Sequence, residues 1–137
     1  MYEKILVALD ESDAAERVLA AAEELARLSG GEVWLLHVWE AEPAVYKSAS
    51  VKSFDEAQSW LEMAAEKLEA AGISAHPIVV ANLFAYAARE IANIAVALEV
   101  GAIVIGSRRR NGLTELLAGS TAHKVIHLAD RPVVVVR

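Results

Sequence analysis

The segment EKILVALD, Glu3 to Asp10, decides the fold class of this protein. Residues 5 to 9 are continuously apolar, and the segment ends on a carboxylate. A strand with one solvated face alternates apolar and polar residues, whereas an unbroken apolar run of this length is typical of a strand buried on both faces. Such strands occur in parallel sheets that carry helices on both sides, so we expect a sheet of that kind.

A helix is predicted directly after this strand. We expect Ser12 to cap its first turn, because a serine hydroxyl accepts a hydrogen bond from an amide there. The segment Ser29 to Gly31 should end the helix, since glycine readily takes the left-handed conformation found at helix C-termini. The apolar positions between these ends recur at helical spacing, at Ala15, Val18, Ala22, Leu25 and Ala26.

Strand and helix then alternate along the rest of the chain. Further strands are predicted at residues 32–40, 74–81, 102–106 and 132–137, with helices over 54–71, from Asn82 towards Gly101, and over about 120–129. Asn82 is the expected cap of the third helix, and Pro77 places the third strand at a sheet edge, because proline cannot donate to a strand ladder. This alternation predicts a single-domain α/β fold with an open, mostly parallel five-stranded sheet and helices on both faces.

Composition and charge exclude several classes of protein. The length of 137 residues fits one domain, and the net charge of −6 disfavours a broad nucleic-acid-binding surface. The chain has no cysteine, which excludes disulfides, thiolate zinc sites and cysteine nucleophiles. Its apolar runs are far shorter than the roughly 20 residues that cross a bilayer, and its start shows no basic leader. We therefore expect a cytoplasmic protein that binds neither membranes nor nucleic acid.

The loop GSRRRNGLTELLAGST, residues 106–121, concentrates glycines, hydroxyls and cations. In open parallel sheets, ligands bind beyond the carboxyl ends of the strands. A helix N-terminus exposes unpaired amides, and a glycine before it lets a phosphate approach the backbone closely. The loop could hold a phosphate in this way. Alternatively, Gly106 only turns the chain and Ser120 only caps the last helix.

The whole chain resembles the universal stress protein family. The likeness rests on ILVALDESD at 5–13, LLHVWE at 35–40, HLADRPVVVVR at 127–137 and the glycine loop. Nucleotide-binding members carry G-x2-G-x9-G-[ST] in this loop, and Gly106, Arg109, Gly119 and Ser120 keep that spacing with an arginine at the second glycine. The resemblance implies one domain over residues 1–137 and a Rossmann-like sheet with strand order 3-2-1-4-5.

The resemblance also implies a site for ATP or a related adenine nucleotide, with accompanying Mg²⁺ left open. Asp10 and the backbone near Val38 would hold the adenine, and Ala8 would line the base pocket. The glycines and hydroxyls of the loop would hold the ribose and phosphates. The full set of implied site residues is Ala8, Asp10, Val38, Ile105, Gly106, Arg109, Gly119, Ser120 and Thr121.

Arg109 leaves the function open between alternatives. Its guanidinium could pair with phosphate oxygens, or lie solvated in a charged loop, or bridge to Asp10 and fill the site. In the last case the protein would be a nucleotide-free dimeric interaction module whose pocket is closed by Arg109. We expect no enzymatic activity beyond slow ATP hydrolysis, because no catalytic or metal-binding residue is evident.

Two further features concern association and the core. The strand Val133 to Val136 is expected at a sheet edge, where pairing with a second copy would cover its backbone and valines, giving a homodimer. The resemblance implies a role for this dimer in stress adaptation, with an unidentified protein partner.

His37 interrupts a buried strand and is expected to be a core histidine satisfied by a hydrogen bond. His123 and His127 lack a third metal ligand and are expected on an exposed helix face.

Overall fold

The computed structural model describes residues 1–10, 14–40, 53–83, 86–107 and 121–137. Strands and helices alternate throughout these residues, and the elements in chain order are β1 Lys4–Ala8, α1 Ala15–Ser29, β2 Glu32–Glu40, α2 Phe54–Ala70, β3 Ala75–Asn82, α3 Ala87–Ala97, β4 Ala102–Gly106, α4 Thr121–Leu128 and β5 Val133–Val136. The five strands form one parallel sheet in the order β3-β2-β1-β4-β5. The predicted fold class and strand order are confirmed, and Pro77 lies on an edge strand as expected.

The central strand β1 separates two apolar cores. Ile5 and Val7 pack with α1 and α2 on one face of the sheet, while Leu6 and Ala8 pack with α3 and α4 on the other. All four side chains are buried. The unbroken apolar run that opened the sequence is explained by this arrangement, because successive residues of a strand point to opposite faces and both faces are covered.

The order of the strands creates a switch point at the carboxyl edge of the sheet. The chain passes from β1 to β2 and β3 on one side, and then returns to place β4 and β5 on the other side of β1. The helices follow this change of direction, since α1 and α2 cover one face and α3 and α4 cover the other. In open α/β sheets, the crevice at such a switch point is where ligands bind.

The two ends of the first helix differ in how well they were predicted. Gly30 ends α1 in the left-handed conformation with φ of 68°, as the sequence predicted. At the other end, Ala14 is the residue before the first helical one and makes no side-chain cap. The predicted cap, Ser12, lies outside the described residues. The helix therefore begins later than the position of Ser12 suggested.

One helix cap was predicted wrongly and another was missed. Asn82 does not cap the third helix, because it is the last residue of β3, where it pairs in register with Glu40. The side-chain nitrogen Nδ2 of Asn82 donates to Oε1 of Glu90 in α3 at 2.9 Å. At α2, the hydroxyl of Ser53 accepts a hydrogen bond from the Glu56 amide at 3.2 Å. This cap was not predicted, although S-x-x-E is the capping-box spacing.

Arg131 connects the end of α3 to the start of β5. Its Nη1 donates to the carbonyl oxygens of Ala95 and Val100, each at 2.9 Å. A cation at this place also complements the negative end of the α3 dipole. The side-chain hydrogen bond from Arg131 lowers the pKa of the exposed Asp130 carboxyl. The sequence predicted the turn at residues 130–132 only as the end of a helix. In the structure, Arg131 of this turn also holds the start of β5 against the end of α3.

Within residues 1–10, 14–40, 53–83, 86–107 and 121–137, no helix has the length and apolar character needed to cross a membrane.

Candidate functional site

The candidate site lies at the switch point, beyond the carboxyl ends of β1, β2 and β4. Ala8 is the last residue of β1 and is in register with Leu36 of β2 on one side and Ile105 of β4 on the other. Leu9 extends the pairing one residue past the strand, since its amide donates to the Leu36 carbonyl at 2.9 Å. Asp10 comes next and is exposed. The carboxylate that the sequence placed at the strand end therefore stands at the carboxyl edge of the sheet.

Four of the predicted site residues belong to one face of the sheet. Ala8 and Ile105 are buried in the core beneath α3 and α4, and Val38 is half-buried against the same core. Thr121 is the first residue of α4 and is half-buried, and the next residue of that helix joins this core. The structure therefore places three apolar site residues, among them the Ala8 predicted to line the base pocket, on the same sheet face as the helix whose start was predicted to hold phosphates.

Gly106 points to the opposite face. A Cβ atom at this glycine would lie 3.0 Å from Cγ2 of Val18 and 3.8 Å from Cβ of Ala14, both next to or within α1. Its backbone is not in the left-handed region, which among the described glycines is found at Gly30 and Gly72. The local reason for glycine here is therefore close packing of β4 against α1, rather than the turn that the sequence suggested.

Three predicted site residues lie outside the described residues. These are Arg109, Gly119 and Ser120. The three roles considered for Arg109, and the phosphate-holding part of the loop, therefore stay predictions.

His37 is a buried polar residue beside the site. Only 6% of it is exposed, and its Nδ1 donates to the Leu9 carbonyl at 2.8 Å. Its ring also packs edge-on against Trp60, with ring centroids 5.3 Å apart. The expectation of a hydrogen-bonded core histidine is confirmed. What sequence reasoning missed is that this bond is made to the residue just before Asp10. The available signal was a single polar residue next to Val38 in an apolar strand.

The two histidines of α4 lie side by side on an exposed face. The rings of His123 and His127 meet edge to face with centroids 4.7 Å apart, and both residues are exposed. In the part of the chain that the structure describes, no three histidine, aspartate or glutamate residues are grouped so that they could hold a metal ion.

An open parallel sheet with this strand order and a switch point at its carboxyl edge defines the doubly wound class of α/β proteins. The model of the universal stress protein family matches residues 1–137, so the chain belongs to this family. It is 36% identical to the universal stress protein YxiE of Bacillus subtilis, with 100% of both chains covered.

Solved structures show the same fold. The structure of a universal stress protein from Archaeoglobus fulgidus has a TM-score of 0.77 and 31% identity, and all of both chains is covered. The structure of the universal stress protein from that organism in complex with dAMP has a TM-score of 0.72 and 29% identity, covering 99% of this chain and 98% of that one.

The packing of Gly106 gives a testable prediction. We expect Gly106→Ala to lower the free energy of unfolding by about 1–2 kcal/mol, because the new methyl group forces β4 and α1 apart. Urea denaturation measures the change. In a Val18→Ala background the same substitution should cost much less, because the crowding γ-methyl group of Val18 is gone. An equal cost in both backgrounds would contradict the packing explanation.

Proposed function

We propose that this protein binds an adenine nucleotide, ATP or a close relative, at the carboxyl edge of β1, β2 and β4, and acts as a cytoplasmic regulator in stress adaptation. The observation that carries the proposal is the convergence of Ala8, Val38 and Ile105 on one sheet face, beside exposed Asp10. The dAMP complex of a relative with the same fold supports it.

The chemistry of the described residues suits each part of such a ligand. Ala8 is a small residue in register with Ile105, and Val38 belongs to the same sheet face two residues beyond the β2 partner of Ala8. These apolar side chains suit the flat face of a purine. The Asp10 carboxylate can accept hydrogen bonds from an amino group or a hydroxyl. Thr121 and the amides at the start of α4 provide donors and a partial positive charge for phosphate oxygens.

Slow turnover is the most that we expect of this site. Efficient phosphoryl transfer needs a positioned nucleophile and carboxylates committed to Mg²⁺. The five residues that follow Gly106 are one serine, three arginines and one asparagine, none of which is a general base at neutral pH. We therefore propose a binding protein rather than an enzyme, in which bound nucleotide alters the choice of partner.

Calorimetric titration with ATP and AMP, with and without Mg²⁺, tests the proposal. Asp10→Ala should weaken adenine-nucleotide affinity by about tenfold or more, because a charged hydrogen-bonding group is lost from the site. Asp130→Ala is the matched control, since it also removes one exposed aspartate carboxylate, but at the opposite edge of the sheet. The affinity of this variant for adenine nucleotides should equal that of the wild-type protein. Folded wild-type protein that takes up no adenine nucleotide at millimolar concentration would refute the proposal.

The substitution Arg109→Gly distinguishes between the two proposed functions, a nucleotide-binding protein and a nucleotide-free interaction module. If the guanidinium pairs with phosphates, as we expect, the variant binds ATP several-fold more weakly and adenosine equally well. Arg110→Gly serves as the control for the loss of one loop charge. Stronger ATP binding by Arg109→Gly would instead identify Arg109 as the group that closes the pocket, and unchanged binding would identify a solvated side chain.

We also propose that two copies pair through β5. Within the described residues, β5 lies at the sheet edge and is hydrogen-bonded to β4. Val134 in the middle of this strand is 41% exposed. Pairing with a second β5 would satisfy the open backbone groups and cover these valines.

A charge in the edge strand tests this pairing. We expect Val134→Lys to convert a dimer into a monomer, because pairing would desolvate the ammonium group. Light scattering after gel filtration measures the mass. Val96→Lys, which places the same charge on an exposed valine of α3, should leave the dimer intact. Wild-type protein that is monomeric at the concentrations tested would end the proposal.

A further inference from the structure

The pairing of β1 with β2 changes at the edge of the candidate site. In a parallel pair, the bonding amides and carbonyls of one strand come from alternate residues. The Glu32 amide donates to the Glu3 carbonyl, and the Leu36 carbonyl accepts from the Leu9 amide. Even-numbered residues of β2 therefore face β1. The next bond of this series would run from the Val38 amide to the Leu9 carbonyl.

The Leu9 carbonyl is instead bonded to a side chain. His37 Nδ1 lies 2.8 Å from this oxygen. A carbonyl oxygen can only accept, so the proton of the bond belongs to Nδ1. Among the described residues, no hydrogen bond joins the Val38 amide to the Leu9 carbonyl. The ladder between β1 and β2 therefore stops one bond early, at the point where the candidate site begins.

The surroundings of His37 hold its ring in this position. The residue is 6% exposed, and Trp60 of α2 packs edge-on against the ring at an interplanar angle of 78°. The ring points to the α2 side of the sheet, whereas Val38 belongs to the α3 and α4 side. The His37 side chain therefore lies on the opposite face of the sheet from Val38 and does not touch a ligand that packs on Val38. Any effect of His37 on that ligand passes through the backbone.

We infer that His37 is a positioning residue for the nucleotide site, which takes the Leu9 carbonyl out of the ladder and leaves the Val38 amide directed into the crevice as a donor. The inference rests on the proposed function for the identity of the ligand. In the proposed site, this N–H and the Asp10 carboxylate would present one donor and one acceptor to the base. Adenine offers the complementary ring nitrogen and amino group, whereas guanine offers the reverse pattern on the same edge.

Three substitutions separate the hydrogen bond from the packing of the ring. His37→Asn keeps an N–H donor at the position of Nδ1, because the amide nitrogen is the same number of bonds from the backbone. His37→Gln moves the donor one bond further out, to the position of Nε2. His37→Leu removes the donor and keeps an apolar side chain. Urea denaturation establishes that each variant is folded before it is compared.

Amide hydrogen exchange tests the inference without any ligand. In the wild-type protein, the Val38 amide should exchange at least about tenfold faster than the Leu36 amide, which lies in the paired part of β2. The Asn variant should keep this difference. The Leu variant should lose it, because the released Leu9 carbonyl can accept from Val38. A Val38 amide that is protected as well as Leu36 in the wild-type protein would overturn the inference.

Titration with AMP then links the backbone to binding. We expect the Gln and Leu variants to bind about tenfold more weakly, and the Asn variant to stay within about threefold of wild type. An equal loss in all three variants would show that only ring packing matters and would overturn the inference. If the exchange pattern is as expected but the wild-type protein binds no adenine nucleotide, the role of His37 in ending the ladder stands and the proposed function fails.

Discussion

The burial of β1 on both faces is the constraint on which the rest of the structure depends. Its side chains alternate between two cores, so neither pair of helices can be removed without exposing the centre of the sheet. Ile5, Leu6 and Val7 are fully buried, and each such side chain contributes about 1.5–3 kcal/mol through the hydrophobic effect. A strand in this position must have neighbours on both sides, and the chain provides them by winding first towards β3 and then back towards β5. The same reversal creates the switch point at the carboxyl edge.

The site is therefore a consequence of how the core is built. Ala8 and Ile105 are core residues that also lie near the carboxyl edge of the sheet, because Ala8 is the last residue of β1 and Ile105 the last but one of β4. The polar groups lie just beyond these apolar residues, with Asp10 after the end of β1 and Thr121 at the start of α4. His37 lies on the other face and is joined to the residue that follows β1 by its hydrogen bond to the Leu9 carbonyl. A rigid apolar frame with polar groups at strand ends is a common way of positioning a ligand precisely.

Much of the fold could be predicted from the sequence, because burial on both faces and glycine at a helix end leave strong local patterns. The run from Ile5 to Leu9 predicted the central strand, and Gly30 predicted the end of α1. Asn82 was misread, since an asparagine after a strand has the same local pattern as a helix cap, and only pairing with Glu40 decides that β3 continues through it. The packing role of Gly106 could not be predicted either, because the sequence does not show that Val18 of α1 faces it. At the site, the strand-end residues were placed correctly, while the connection from His37 to Leu9 depends on a register that only the folded chain reveals.

The central claim is that an adenine nucleotide binds at the carboxyl edge of this sheet, on the face that carries Ala8, Val38 and Ile105. The most direct measurement is a nuclear magnetic resonance titration of labelled protein with AMP, in which each backbone amide reports its own surroundings. We expect saturable shifts at Leu9, Asp10, Val38 and Thr121. No shifts are expected at Gly31 and Gly101, which lie at the opposite edge beside the first two residues of the chain. Shifts confined to that opposite edge, or spectra that do not change up to millimolar AMP, would contradict the central claim.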